Sequence, residues 1–133
     1  MALVVPDAGE VRLLEYIVNK TSPTNLVLHL YSNDVDLSTE TFTSASFTQP
    51  TAAGYSSVTL TGAGWNASTT AGVSAALYDE GVTFNFSAGQ DVQGYYVTDV
   101  SNNIMWAEEF PGAPFQLPSG GGDIAIRPQV QLN

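Results

Sequence analysis

The chain has 133 residues, enough for one domain that buries roughly two-thirds of the surface its unfolded form would expose. It is 44% hydrophobic and only 12% charged, so uncharged polar side chains or partner contacts must cover most of its surface. Three basic residues, Arg12, Lys20 and Arg127, stand against thirteen acidic ones for a formal charge of -10, which argues against nucleic acid and anionic membranes as partners because both are bound through clustered Lys and Arg.

A bound cation or a basic protein would suit that balance, but solubility and mutual repulsion of unassembled copies account for it without a ligand. The absence of cysteine rules out disulfides, thiolate metal sites and cysteine nucleophiles. The stretch from Met1 to Glu10 has no basic n-region and too short an apolar run for a signal peptide, and no apolar run is long enough to span a bilayer. The expectation is a soluble protein made in a cytoplasm.

In chain order, residues 1–6 form an apolar N-terminal arm, Ala2, Leu3, Val4 and Val5, closed by Pro6. Asp7 and Glu10 have capping-box spacing and open a helical pattern over 7–20. Val11, Leu14, Ile17 and Val18 fall at i, i+3, i+6 and i+7 with Leu13 beside them, and Arg12, Glu15 and Asn19 face away, which predicts one amphipathic helix. Lys20 suits its C-terminus, ahead of Ser22 and Pro23.

From Thr24 the period becomes two. Leu26, Leu28 and Leu30 share one face of a strand and Val27, His29 and Tyr31 the other, so both faces are expected to be covered. The β-branched and aromatic bias continues over 39–48 with Phe42 and Phe47, and shorter segments follow at 57–60 and 65–68. Val73, Ala75 and Leu77, then Asp79-Glu80-Gly81, then Val82, Phe84 and Phe86 predict a hairpin with a three-residue turn. Gly94 to Phe110 predicts another, a central pair turning at Ser101 to Asn103, with either Val97 or Thr98 opposite Trp106 according to loop length. After a short segment at 115–117, the last strand runs from Ile124 to Leu132, with Pro128 suggesting an edge or a bulge. The sum is an all-β fold of about eight strands over 24–132, an antiparallel β-sandwich after one helix.

Chemistry is sparse. His29 sits in mid-strand, and no strained nucleophile turn of the G-x-S-x-G kind occurs to serve it. Asp34 and Asp36 put two carboxylates on one side of a loop that could hold Ca²⁺, but the ligand series is incomplete and a solvated turn is the stronger reading. Glu108 and Glu109 are strand neighbours and point to opposite faces. The glycine loop Ser119 to Asp123 has neither a lysine nor a following helix to hold a phosphate. No catalytic residue, cofactor or metal is assigned. Aromatic rings near loops are the remaining lead: Trp65, Phe110 and Phe115, with Tyr55, could stack on a sugar or fill a partner's pocket.

Taken together, Val5 to Glu15, then Gly94 to Asp99 followed by Met105 to Phe110, and the closing Gly122 to Pro128 resemble small structural proteins of tailed bacteriophages. The whole chain looks like a jelly-roll capsid decoration, or cement, protein. That resemblance implies copies, as homotrimers, seated on the outside of the capsid at junctions between major capsid protein subunits. The residues themselves add the expectation that the apolar arm Ala2 to Val5 packs against another subunit or the shell, with the ring residues Trp65, Phe110 and Phe115 as further interface candidates. The competing expectation is a carbohydrate- or receptor-binding module of a head or tail fibre, or a tail adaptor or connector protein.

Overall fold

The computed structural model describes residues 3–132. It contains one helix, α1 (Asp7–Ile17), and strands β1 (Leu26–Tyr31), β2 (Val58–Leu60), β3 (Trp65–Thr70), β4 (Val73–Tyr78), β5 (Val82–Phe86), β6 (Gln90–Val92), β7 (Gly94–Asp99), β8 (Ile104–Glu109), β9 (Phe115–Leu117), β10 (Gly122–Ile126) and β11 (Gln129–Leu132). The strands form antiparallel sheets in the orders β2-β1-β7-β8, β11-β4-β3, β10-β5 and β6-β9. The chain is therefore mostly β with one helix, and it has more and shorter strands than the eight or so that hydrophobic alternation marks out.

Leu28, Leu30, Val97 and Trp106 of the four-stranded sheet meet Phe84, Phe86, Ile124 and Ile126 of β5 and β10, with Val92 and Leu117 of β6 and β9, in one core. The other face of the same sheet carries a second core, in which Tyr31, Tyr96, Ile104 and Ala107 lie under Leu37, Phe42 and Phe47. Both faces of β1 and β7 are thus covered, as their two-sided apolar pattern requires. The cover over the second core is not the strand expected at 39–48. It is irregular chain with two 3-10 turns, Leu37–Thr39 and Ser44–Ser46. Asn33 holds it in place, accepting from the Thr48 amide at 2.7 Å and donating to the Ser46 carbonyl at 2.9 Å. A side chain that offers backbone groups their partners removes the need for a ladder there.

The β7-β8 hairpin forms, with Val97 opposite Trp106, but Thr98 then pairs with Ile104 and leaves Met105 as a bulge. The bulge lets the consecutive Met105 and Trp106 both enter the first core, which strict alternation forbids. The buried Asp99 carboxylate sets the turn, accepting from the amides of Ser101 and Asn103 at 2.9 Å each and from the Asn103 side chain at 2.8 Å. The pair is not central as expected: β7 is internal, whereas β8 ends the row of named strands.

The hairpin expected around Asp79 to Gly81 does not form. β4 pairs with β3 and β11, and β5 pairs with β10. Because β10 and β11 are consecutive, β4-β5 and β10-β11 run as one long antiparallel ribbon whose register shifts by two residues between Leu77↔Gln129 and Val82↔Ile126. Asp79-Glu80-Gly81 is thus an insertion in a continuing strand, opposite the break that Pro128 makes. The true reversal is at Ala71-Gly72, where both residues have positive φ, +52° and +82°, as a two-residue turn between twisted strands demands.

Helix α1 also departs from its pattern. It begins after Pro6, with no side-chain cap; Asp7 is its first residue and donates its amide to the Glu40 carbonyl at 2.9 Å, so the Asp7–Glu10 capping box is not made. It ends at Ile17, not at residue 20, with Asn19 in the left-handed region and the Lys20 amide donating to the Glu15 carbonyl at 2.9 Å, a Schellman closure. An amphipathic helix normally turns its wide apolar stripe inward. Here Val11, Leu14, Ile17 and Val18 are exposed, and Gly9, Leu13 and Tyr16 face the sheet. Gly9 decides this: a Cβ there would collide with the Met105 carbonyl, so only a glycine lets the helix lie on the bulge of β8.

Candidate functional site

The outward rotation of α1 creates the main candidate site. Between the helix and the β11-β4-β3 sheet lies an apolar cleft of about 260 Å³, walled by Leu13, Tyr16, Leu26, Trp65, Met105 and Trp106. A second, open trough of about 450 Å³ continues from Leu13 and Ile17 across Ala67, Ala75 and Val130 to Leu132. The strands beneath it contain no charged side chain, over 65–78 or over 129–132. Position-by-position reading missed this surface. The signal that could have found it is Gly9, Leu13 and Tyr16 at i, i+4 and i+7, a narrower stripe that competes with the obvious one and carries the only glycine of the helix.

The interface candidates from the sequence are dispersed rather than gathered. Ala2 lies outside the described residues. Leu3, Val4 and Val5 are taken up by their own chain: Val4 bridges to Ala107, with N–H to carbonyl distances of 2.8 and 2.9 Å in the two directions, and Leu3 and Val5 pack on the first core. The arm covers the outer edge of β8 and so satisfies backbone groups that would otherwise be an open sheet edge.

Trp65 is half-buried, edge-to-face with Trp106 at 6.2 Å and with Tyr78 at 5.3 Å, as a wall of the cleft. Phe110 packs against the first core, and Phe115 on β9 is 49% exposed. Neither Tyr55 nor its hydroxyl is free: the ring lies against Phe84 and Phe86, and the hydroxyl accepts from the Leu30 amide and donates to Gln49.

No protein-family model, no curated protein and no solved structure matches this chain. Its function therefore has to be argued from its own side chains.

His29 is buried in the second core. Its Nε2 lies 2.9 Å from the Thr98 hydroxyl, its ring stacks on Tyr96 at 4.6 Å, and Tyr96 in turn stacks on Phe47 at 4.3 Å. Burial lowers its pKa from 6.5, opposed in part by the Gln49 side chain. An imidazole buried at the end of this ring stack is a packing element of the sheet. Asp36 caps the first 3-10 turn, accepting from the Ser38 amide at 3.0 Å and the Ser38 hydroxyl at 2.6 Å; those bonds lower its pKa. Asp34 is exposed, and among the described residues no group of three His, Asp or Glu side chains converges as a metal cage would need.

Glu108 accepts a 2.7 Å bond from the Tyr95 hydroxyl on the first-core side of the sheet. Burial raises the pKa of the Tyr31 phenol in the second core, and the charges of Glu109, Asp34 and Glu108 add to it. The two neighbouring carboxylates are split between faces by the strand period. Among the described residues no helix is long and apolar enough to cross a membrane.

Proposed function

We propose that this chain is a structural protein of a phage head: a decoration, or cement, protein seated in many copies on the outer capsid surface, where it strengthens contacts between major capsid protein subunits. The observation that carries the reading is a β body with two packed cores that leaves a broad apolar surface open on α1 and the charge-free sheet beside it. Such a surface in a chain of charge -10 suits a protein that works by being covered by other protein, while its acidity suits the outside of a particle filled with DNA. We read the sheets facing one another across the first core as a jelly roll. Synthesis in the host cytoplasm and assembly onto the finished shell follow from that reading.

Copy number tests it. A decoration protein is present at on the order of hundreds of copies per virion, and a fibre or connector protein at tens or fewer. Quantitative mass spectrometry of purified virions that encode this chain is expected to give the higher figure; tens of copies or none would overturn the proposal. The second reading, a glycan- or receptor-binding fibre module, has Phe115 in its favour, the most exposed ring of the set, at the start of the short strand β9. A glycan screen in which binding is lost on Phe115→Ala would select it.

A further inference from the structure

The outer face of α1 is apolar where a helix on a globular domain is expected to be polar. Val11, Leu14, Ile17 and Val18 are 57, 60, 79 and 70% exposed, and Leu132, across the trough from Ile17, is 75% exposed. Together they leave open on the order of 600 Å² of apolar surface, the upper end of what a monomer tolerates in one patch. That approaches the roughly 800 Å² each partner contributes to a standard protein interface.

The charges around the stripe say what covers it. Most of the chain would repel a second copy, since it carries -10. This surface would not: the neighbouring sheet is uncharged, and Glu15 is held between Arg12 at 3.2 Å and Lys20 at 3.8 Å. Two of the three basic residues of the chain therefore belong to this helix and its exit. The stripe itself is polarised, with the exposed Asp7 and Glu10 at its N-terminal end and Lys20, 74% exposed, just past its C-terminal end. A basic foreign partner would be drawn to the acidic remainder of the surface rather than here. A second copy laid antiparallel fits instead. Around a twofold axis near Leu14, Val11 of each copy meets Ile17 of the other, the acidic end of each helix meets the partner's Lys20, and the two helix dipoles oppose.

We propose that α1 is the self-association surface of this protein, pairing antiparallel with α1 of a second copy through Val11, Leu14, Ile17 and Val18. The pairing uses the helix part of the apolar surface and leaves the charge-free sheet beside it for the shell, and because it is tested on the isolated protein its failure is distinguishable from failure of the capsid reading. It also differs from the threefold set that the phage resemblance implies.

Sedimentation equilibrium and native mass spectrometry of the wild-type chain are expected to give twice 14.1 kDa, with Leu14→Asp giving a single copy and an unchanged circular dichroism spectrum. If Leu14→Asp does not fold, the charge swap carries the test: Lys20→Glu alone weakens the pair at least tenfold, and Glu10→Lys with Lys20→Glu restores it. A monomeric wild type at every concentration, a mass three times that of one chain, a Leu14→Asp protein that still pairs, or failure of the double swap to restore pairing would each overturn the proposal.

Discussion

Gly9→Ala separates two lines of reasoning by the sign of its effect. By helix propensity alone, replacing an interior helical glycine by alanine stabilises by about 1 kcal/mol. In the folded protein Gly9 is buried against β8, and a Cβ at that position would collide with the Met105 carbonyl, a backbone atom that cannot swing aside. Either α1 backs off, exposing part of Leu13 and Tyr16, or the bulge that places Met105 and Trp106 in the core is distorted. Overpacking of this kind costs roughly 1–3 kcal/mol. Uncovering two half-buried side chains costs a similar amount, about 1 kcal/mol each. After the propensity gain of about 1 kcal/mol, the net expectation is a loss of up to about 2 kcal/mol. Urea unfolding followed by tryptophan fluorescence measures it, with Trp106 reporting from the affected core. Ala8→Gly, at an exposed position of the same turn, is the control and should lose about 0.5–1 kcal/mol by propensity alone. A Gly9→Ala protein more stable than wild type, by the roughly 1 kcal/mol that propensity alone gives, would refute the close approach of helix and bulge.

Other consequences can be checked in the same way. Ala71 occupies the left-handed region at the β3-β4 turn, so Ala71→Asn is expected to stabilise by about 0.5–1 kcal/mol in urea unfolding, and a loss would show that the turn is not of this type. Deleting residues 1–5 removes the Val4 bridge and the packing of Leu3 and Val5, for a loss of about 2 kcal/mol; an unchanged unfolding midpoint would place the arm elsewhere. His29 has a folded-state pKa below its ordinary 6.5, so the unfolded chain binds the extra proton first as pH falls. Its contribution to stability is complete above pH 6.5 and is lost as pH drops from there towards the lower folded-state value. The urea midpoint should fall between pH 7.5 and 5.5 in the wild type and stay nearly flat in His29→Gln, and parallel curves for the two would refute the assignment.

How much of this was legible in the sequence depended on whether a local signal had a competitor. The two-sided apolar pattern of 26–31 was unambiguous, and β1 lies between two cores. Trp106 could be assigned to the interior, but not Met105 beside it, because a bulge is a property of the pair of strands and leaves no mark on either alone. Asp79-Glu80-Gly81 has hairpin chemistry and yet continues a ribbon, since the partner strands β10 and β11 offer a longer ladder than β4 and β5 could offer each other. Ala71-Gly72 lacks the Asn or Asp that usually marks such a turn, so no local signal marks the reversal there.

The candidate site followed the same rule in sharper form. The sequence by itself determined that the chain is β-rich with one N-terminal helix, that it lacks thiol chemistry, and that its charge disfavours nucleic acid. It also placed an apolar stripe on that helix, because the 3.6-residue period is a local property of the chain. Which way the stripe faces was decided only by tertiary structure. A single glycine lets the opposite side of α1 lie against the β8 carbonyls, and that close contact outweighs the larger hydrophobic face and leaves it open to solvent.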